Sequence, residues 1–181
     1  MKILFITDIH GSLYYAKKAL EVFEKENADF IALLGDELYH GPRNPLPEEY
    51  NPMKVAELLN KYSNKIIAVK GNCDSEVDQM VLDFPITAPY SIILYNGRRL
   101  FLTHGDIYNE NNLPKLNPGD VLIYGHTHIN KIEEKEGIFI INLASVALPK
   151  DGNPNSYGLL YNDIFEIKNF NGNIVKEINF S

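Results

Sequence analysis

The sequence predicts an α/β fold in which two β layers pack together and helices cover them on the outside. Two observations lead to this prediction. The first 70 or so residues alternate strands and helices, whereas the last 90 or so read mostly as short strands joined by turns. The length of 181 residues suits one well-filled domain, residues 1–181, and is too short for two ordinary ones.

The front of the chain has the pattern of a strand, a helix and a second strand. The apolar run Ile3–Ile6 is typical of a strand buried on both faces. Apolar residues then recur at helical spacing from Leu13 to about Glu26, with Ser12 in position to cap the helix. A second buried strand is expected at Asp29–Leu34. This order predicts a βαβ unit.

A long irregular loop and a second helix follow. Residues 37–51 contain three prolines and one glycine, and loops of this length inside a domain are often functional. Asn51 as N-cap and Pro52 at the first helical position open the second helix. A third strand is expected at Lys65–Val69, and a short helix or turn at Ser75–Leu82.

The pattern of the chain then changes to strands. Asn96-Gly97 is a favoured two-residue turn, so Ser91–Tyr95 and Arg98–Thr103 are predicted to form a hairpin. Further strands are expected at Val121–Tyr124, at Ile129–Lys135 paired with Gly137–Ile141, and within Tyr157–Phe180.

Composition limits the classes of function. The net charge of −7 and the pI near 5.2 argue against broad nucleic-acid binding, which needs a basic surface. No apolar run approaches the ~20 residues that span a bilayer, and Met1-Lys2 leads into a core strand, not a signal peptide. The lone cysteine, Cys73, cannot form an internal disulfide. A soluble cytoplasmic protein is the expectation.

Residues that can bind a metal stand at the ends of five predicted strands. Four of the five histidines of the chain are among them. Taken alone, Asp8 fits a helix cap and His10 a loop histidine as well as they fit functional residues at the end of a strand. Asn72 taken alone fits an ordinary turn residue. Together, however, side chains at strand ends meet where open α/β sheets bind ligands. The set consists of Asp8, His10, Asp36, Asn72, His104, His126 and His128.

This set contains more ligands than one ion needs. Two carboxylates, four imidazoles and one amide suit two ions that share a bridging carboxylate. A mixed nitrogen and oxygen set without thiolate favours manganese, iron or zinc over calcium or magnesium. Two such ions roughly 3.5–4 Å apart stabilise the attacking and leaving oxygens of a displacement at phosphorus. The pattern therefore indicates phosphoester chemistry.

Five short motifs contain these residues. In chain order they are Asp8-x-His10, Gly35-Asp36, Gly71-Asn72-x-Asp74, His104-Gly105 and Gly125-His126-x-His128. Motifs of this kind in this order resemble those of the calcineurin-like metallophosphoesterases. Within that superfamily, the small size and three further stretches look like the YfcE-type phosphodiesterases: His40–Asn44, Gly71–Asp78 and Phe84–Pro89.

The resemblance implies a four-layer αββα sandwich with two mixed β-sheets. It also implies a site with two divalent metal ions, manganese first, with iron, zinc or nickel as alternatives, and a metal-bound hydroxide as the nucleophile. Asp36 would bridge the two ions. The first ion would be held by Asp8, His10 and His128, and the second by Asn72, His104 and His126.

Cys73 departs from the family pattern. Many relatives have a histidine here that can protonate the leaving oxygen, with the following acid, Asp74 in this chain, orienting it. A thiol with a pKa of about 8.5 can donate a proton but is shorter and a poorer hydrogen-bond partner. Cys73 as catalytic group therefore predicts a preference for acidic leaving groups such as aryl esters. Cys73 also fits a small buried hydrophobe, and Asp74 a helix cap.

Two loop residues are candidates for the rim of the site. His40 and Arg43 lie on the loop after Asp36, and Arg43 suits phosphate recognition, although a loop arginine is often only solvated. Asn72 is a second candidate for contact with the substrate.

The resulting functional prediction is a phosphodiesterase acting on a small phosphodiester. Alternatives are a phosphomonoesterase or nucleotide hydrolase and, less favoured because all seven ligand positions are filled, a non-catalytic binding scaffold. Neither a membrane nor stable nucleic-acid binding is expected, and a homo-oligomer is compatible with the sequence.

Overall fold

A computed structural model of the chain describes residues 1–180. In this part of the chain, two β-sheets of six and five strands pack against each other. The helices are α1 (Leu13–Glu26), α2 (Pro52–Asn60) and α3 (Glu76–Gln79), with a 3-10 turn at Ser63–Lys65.

The first sheet combines parallel and antiparallel pairs. Its strands are β1 (Ile3–Ile6), β2 (Phe30–Leu33), β3 (Ile66–Ala68), β9 (Ser156–Tyr161), β10 (Ile164–Asn169) and β11 (Ile174–Asn179). Their order in the sheet is β11-β10-β9-β1-β2-β3, in which β1, β2 and β3 run parallel and the other neighbours are antiparallel.

The second sheet is also mixed. Its strands are β4 (Tyr90–Tyr95), β5 (Arg98–Thr103), β6 (Val121–Tyr124), β7 (Asn130–Lys135) and β8 (Ile138–Leu143). Their order in the sheet is β4-β5-β6-β8-β7, in which β5, β6 and β8 run parallel and the two edge strands are antiparallel to their neighbours.

The helices start where the sequence predicts. The Ser12 side chain accepts a hydrogen bond from the backbone of Tyr15, and that of Asn51 accepts one from Lys54, ahead of Pro52. Such caps satisfy backbone donors that the first turn leaves free. Within residues 1–180 there is no helix whose length and apolar character would let it cross a membrane.

The layers of the fold differ on the two outer faces. Helices α1 and α2 cover the first sheet. The two mixed sheets confirm the predicted α/β sandwich. The second sheet is covered instead by the irregular segment 105–119, whose Tyr108, Leu113 and Leu116 pack on Phe101 and Tyr124. Prolines at positions 114 and 118 and flanking glycines keep this segment out of a regular helix.

The topology brings the predicted strand ends together. In the first sheet, β1, β2 and β3 are parallel, so their carboxyl ends lie side by side at the same end of the strands. In the second sheet, β5 and β6 are parallel and end in the same way. The backbone of Gly125, just after β6, approaches Thr7 and Asp8 just after β1, so both sheets deliver these ends to one place.

Candidate metal centre

The seven predicted strand-end residues form one cluster between the two sheets. Five of them are buried, His126 is half-buried and Asn72 is exposed. Three overlapping groups of donor atoms fall within 4.8 Å of one another. These groups are Asp8 with His10 and His128, Asp8 with Asp36 and His104, and His10 with Asp36 and Cys73.

The first part of the cluster joins Asp8, His10 and His128. Asp8 Oδ1 lies 3.0 Å from His128 Nε2 and 3.4 Å from His10 Nε2. The two ring nitrogens are 3.3 Å apart. One carboxylate oxygen and two imidazole nitrogens therefore point at a common position.

The second part of the cluster is centred on His104. Its Nε2 atom lies 3.0 Å from Asn72 Oδ1 and 3.2 Å from His126 Nδ1. This part of the cluster therefore brings two imidazole nitrogens and one amide oxygen close together.

Asp36 lies between the two parts. Its Oδ2 atom is 3.3 Å from His104 Nε2 and 3.8 Å from His10 Nε2. Its other oxygen, Oδ1, accepts a hydrogen bond of 2.8 Å from the backbone N–H of Cys73, which fixes the orientation of the carboxylate. A single oxygen atom of Asp36 therefore faces both groups of donors.

Three imidazoles are held in the form that binds metals. A carbonyl oxygen can only accept a hydrogen bond, so an Nδ1 atom beside one must carry the proton, and the lone pair of Nε2 is left for a cation. The carbonyls are those of Tyr39 for His10 (2.9 Å), Leu34 for His104 (2.8 Å) and Leu148 for His128.

A buried oxygen of Asp8 tests whether these residues fit a cation. Asp8 Oδ2 accepts hydrogen bonds from the Thr7 hydroxyl (2.6 Å) and the His126 N–H (3.0 Å). Asp8 Oδ1 is buried and accepts none. An unsatisfied carboxylate oxygen is costly in the interior, and a cation at the convergent nitrogens would satisfy it. The nitrogen and oxygen donor set suits a divalent transition metal.

The electrostatics of the cluster point the same way. Burial would raise the pKa of Asp8, but His10, His104 and His128 outweigh it and hold that pKa well below its usual value. Burial would lower the pKa of His104, but the carboxylates of Asp36 and Asp8 raise it to about 10. The cluster therefore favours positive charge, which divalent ions can supply in place of protons.

The backbone at the cluster is bent in a way that residue types did not reveal. Left-handed φ angles are uncommon outside glycine, and such strain concentrates at functional sites. The sequence offers only an indirect signal, the glycines beside these residues. The bent residues are Asp8 (φ 56°), His10 (50°), Asp36 (59°), His126 (63°) and His128 (63°).

Gly71 is required by a close approach. A Cβ atom at this position would lie 2.2 Å from Asp36 Oδ1 and 2.4 Å from the Asp36 backbone nitrogen. The turn after β3 can therefore pass beside the central carboxylate only without a side chain.

Asp74 has a different role from those predicted. It does not cap α3, because Ser75 does so through a reciprocal pair of hydrogen bonds with Asp78. Instead, the buried carboxylate accepts hydrogen bonds from the backbone N–H groups of Asp36 (2.9 Å), Glu37 (3.1 Å) and Gly71 (2.6 Å). Asp74 thereby ties the turn after β2 to the turn after β3.

Two further positioning residues were missed by the sequence analysis. The Asn142 side chain donates to the Gly125 carbonyl (2.8 Å) and the Thr127 hydroxyl (2.9 Å), which holds the turn that carries His126 and His128. The Ser145 hydroxyl donates to the Asp8 carbonyl (2.8 Å). Asn142 lies near the end of the apolar strand β8 and Ser145 follows it, so polar residues at the end of this strand were the available signal.

A cavity of about 920 Å³ opens beside the cluster. It is lined by parts of the 37–51 loop, by residues 72–75 and 126–128, and by Lys150. Arg43 and Lys150 both line it, and neither forms an ion pair within the described chain. His40 is not among its lining residues; its ring packs edge-on against Tyr39 and Tyr50.

Cys73 faces this cavity from the side of Asn72. The Asn72 amide donates a hydrogen bond of 3.4 Å to its sulfur. Burial, and then the negative charge of Asp36, raise the pKa of the Cys73 thiol to about 12. The sulfur therefore stays protonated in this environment.

The chain has counterparts among known proteins. The profile described as "Calcineurin-like phosphoesterase superfamily domain" matches residues 1–163. Phosphodiesterase YfcE of Escherichia coli K12 is 55% identical over 167 residues, which cover 92% of this chain and 91% of that protein. Phosphodiesterase MJ0936 of Methanocaldococcus jannaschii is 27% identical over 149 residues, 78% of this chain and 82% of that protein.

A solved structure extends the similarity to three dimensions. The structure of the E. coli phosphoesterase YfcE superposes with a TM-score of 0.98 at 50% sequence identity, covering 100% of both chains. The family and the enzyme class expected from the strand-end motifs are thus confirmed. The chain belongs to the calcineurin-like phosphoesterase superfamily.

Proposed function

We propose that the protein is a metal-dependent phosphodiesterase that hydrolyses a small phosphodiester at a site for two divalent ions. The position of Asp36 Oδ2, 3.3 Å from His104 Nε2 and 3.8 Å from His10 Nε2, is the observation that carries this proposal. When bound, such ions supply positive charge to a phosphate and acidify a water molecule for attack on phosphorus. The similarity to YfcE, which is named a phosphodiesterase, supports the diester as substrate.

The residues of the chain would divide this work. Asp8, His10 and His128 would hold one ion and Asn72, His104 and His126 the other, with Asp36 between them. Two carboxylates do not neutralise two divalent ions, so the site would keep a net positive charge. A phosphate would therefore be attracted despite the chain's net charge of −7.

The substrate would lie in the adjoining cavity. Arg43 and Asn72 both line it, and a guanidinium offers the paired donors that phosphate oxygens accept. Cys73 lines the same wall, and we propose that its thiol stands on the side of the leaving group. A neutral thiol is a weak hydrogen-bond donor, so it would assist a poor leaving group little.

A comparison of substrates separates this proposal from its alternatives. At fixed manganese concentration, a bis-aryl phosphodiester should be hydrolysed faster than the matching aryl monoester. Faster monoester hydrolysis would favour a phosphomonoesterase instead. A binding scaffold would show neither turnover nor two bound ions. We propose manganese as the activating ion and the cytoplasm as the location.

Asp36→Asn tests the central carboxylate. An amide is a weaker metal ligand than a carboxylate, so the metal content should fall below two ions per chain and diester hydrolysis should fall by about 100-fold or more. Inductively coupled plasma mass spectrometry and a rate assay measure both. The exposed Asp83 provides the matched control, Asp83→Asn, which should change neither. Full activity in Asp36→Asn would refute the bridging role.

A further inference from the structure

The edge strand β4 presents an unprotected surface. The order of the second sheet leaves one side of β4 without a neighbouring strand. Its sequence, Tyr-Ser-Ile-Ile-Leu-Tyr, contains neither charge nor proline. Three of its large apolar side chains are exposed on one face: Tyr90 (43%), Ile92 (44%) and Leu94 (76%). Such an edge is a template for pairing with another strand.

The other three sheet edges of the described chain are protected. Strand β3 has only three residues. Strand β7, with the sequence Asn-Lys-Ile-Glu-Glu-Lys, is mostly charged. Strand β11 carries Lys176 and Glu177, and its pairing with β10 is irregular at Ile167 and Lys168. Short length, charge and irregular pairing are the usual means of blocking edge-to-edge association. Strand β4 has none of these three features, so it is the edge strand of the described chain that is open to pairing.

The hairpin geometry decides which backbone groups of β4 are free. Tyr95 pairs with Arg98 across the two-residue Asn96-Gly97 turn, and the pair that flanks such a turn is hydrogen-bonded. Bonded and non-bonded pairs alternate along the strand, so Ser91 and Ile93 also bond to β5. The N–H and C=O groups of the even-numbered residues then point to the open edge. These are Tyr90, Ile92 and Leu94, the residues with exposed side chains.

We propose that β4 pairs antiparallel with β4 of a second copy of this chain, about a two-fold axis that passes midway between the two Ile92 residues. In this register Ile92 faces Ile92 of the other copy, and Tyr90 faces Leu94. All outward N–H and C=O groups of the three residues then find partners across the seam. Their side chains also meet on one face, because directly opposed residues point the same way.

A second copy fits this edge better than an unrelated strand. A two-fold axis makes the same patch serve both partners, and this strand matches itself in both hydrogen bonding and apolar pattern. Tyr90 is already fixed, since its ring stacks on Phe101 at 4.8 Å and 14° and meets Tyr108 edge-on at 6.0 Å. The seam contains no charged β4 side chain that would repel its symmetry mate. The result is a continuous sheet of ten strands, a size that open sheets reach.

Sedimentation velocity on the full chain tests this pairing. The wild type should be associated at about 100 µM, and Ile92→Lys should weaken association by at least about tenfold, because two lysines would face each other at the axis. Ile174→Lys is the matched control: Ile174 is exposed to a similar degree (49%) on the protected edge β11, and its replacement should leave association unchanged. Circular dichroism verifies that both variants fold.

The mass of the assembly decides the outcome. A wild type that is monomeric at this concentration would overturn the proposal, as would an assembly that Ile92→Lys leaves intact. A complex larger than a dimer supports the proposal if Ile92→Lys halves its mass, and opposes it if the mass does not change.

A cysteine cross-link gives a second measurement that does not depend on destabilising the protein. The opposed Cα atoms of a hydrogen-bonded antiparallel pair are about 5.5 Å apart, within the range that a disulfide spans. Ile92→Cys should therefore form a covalent dimer on mild oxidation, with the bond mapped to the introduced thiols by mass spectrometry. Ile174→Cys, on the protected edge, should not. Equal cross-linking of the two variants, or none in Ile92→Cys, would contradict the pairing.

Discussion

At the scale of single residues, Asp74 holds the turns that carry Asp36 and Asn72. Replacing it with alanine leaves three buried N–H groups without an acceptor, whereas Asp74→Asn retains one acceptor oxygen. We expect Asp74→Ala to lower the free energy of unfolding by about 2–3 kcal/mol, and Asp74→Asn by less. Urea unfolding in the presence of a chelator measures this without a contribution from bound metal.

The control for Asp74 is the exposed Asp83. Its replacement by alanine should change the free energy of unfolding by no more than about 0.5 kcal/mol. If Asp74→Ala is as stable as Asp83→Ala, the proposed tie between the two turns does not contribute to stability.

Cys73 gives a second prediction, on substrate preference. Cys73→His would place an imidazole, a better proton donor, beside the leaving group and should raise turnover on alkyl esters relative to aryl esters by at least about tenfold. The comparison is the ratio of kcat for the two substrates at fixed manganese. Cys73→Ser, which keeps the size without adding an imidazole, should leave the ratio near its wild-type value. An unchanged rate on alkyl esters in Cys73→His would rule out this role.

Residue types predicted much of the cluster but not its support. Aspartate and histidine at strand ends can be recognised in the sequence, because five apolar strands rarely all end in metal-binding side chains by chance. The left-handed backbone conformation of Asp8 and His128 cannot be recognised from their residue types, since aspartate and histidine usually have negative φ angles. Asn142 and Ser145 were missed because their partners are backbone atoms that are distant in sequence.

At the scale of elements, periodicity and capping residues located the helices and strands well. Ser12, Asn51 and the Asn96-Gly97 turn act locally, so their effects can be read from the neighbouring residues. The cover of the second sheet could not be predicted in this way. Segment 105–119 has no repeating pattern, and only its contacts with the sheet through Tyr108, Leu113 and Leu116 define its place.

One tie between elements predicts a pH dependence of stability. Asp120, just before β6, accepts hydrogen bonds from the backbone N–H and side chain of Arg99 on β5, the shortest being 2.6 Å. Burial would raise the pKa of Asp120, but the hydrogen bonds from Arg99 lower it. A carboxyl whose pKa is lower in the folded state stabilises the fold above its unfolded pKa of about 3.9, and this stability is lost as the pH falls through the folded pKa.

Asp120→Asn should therefore lower the free energy of unfolding most at neutral pH. We expect a loss of about 1–2 kcal/mol in the free energy of unfolding at pH 7, shrinking as the pH falls below about 4. Urea unfolding at several pH values, in chelator, measures the loss. Asp151, an exposed turn carboxylate, serves as the control through Asp151→Asn, which should show no such trend. A loss that is constant with pH would show that the charge of Asp120 is not involved.

At the scale of the whole molecule, the candidate metal centre draws its residues from both sheets. The loops after β1, β2 and β3 contribute Asp8, His10, Asp36 and Asn72, whereas those after β5 and β6 contribute His104, His126 and His128. Ions held by both groups would link the sheets across the end of the sandwich. Metal binding would then stabilise the global fold and not only the loops at the site.

The last prediction tests this link by metal removal. At a free manganese concentration about 100-fold above its dissociation constant, each bound ion adds about 2.7 kcal/mol of stability, so two ions correspond to a rise of roughly 10–20 °C in Tm for a chain of this size. Calcium, which prefers oxygen ligands, should raise Tm much less. Chelation should reverse the manganese effect, and Asp36→Asn should reduce it.

Hydrogen exchange locates the effect. Slower exchange is expected in β1 and β2 of the first sheet and in β5 and β6 of the second, because the ions would draw ligands from the ends of all four strands. Strands β10 and β11, which carry no candidate ligand, provide an internal reference for the change that global stabilisation alone produces. Protection confined to the first sheet would mean that His104, His126 and His128 do not share in binding, and that the ions do not link the two sheets.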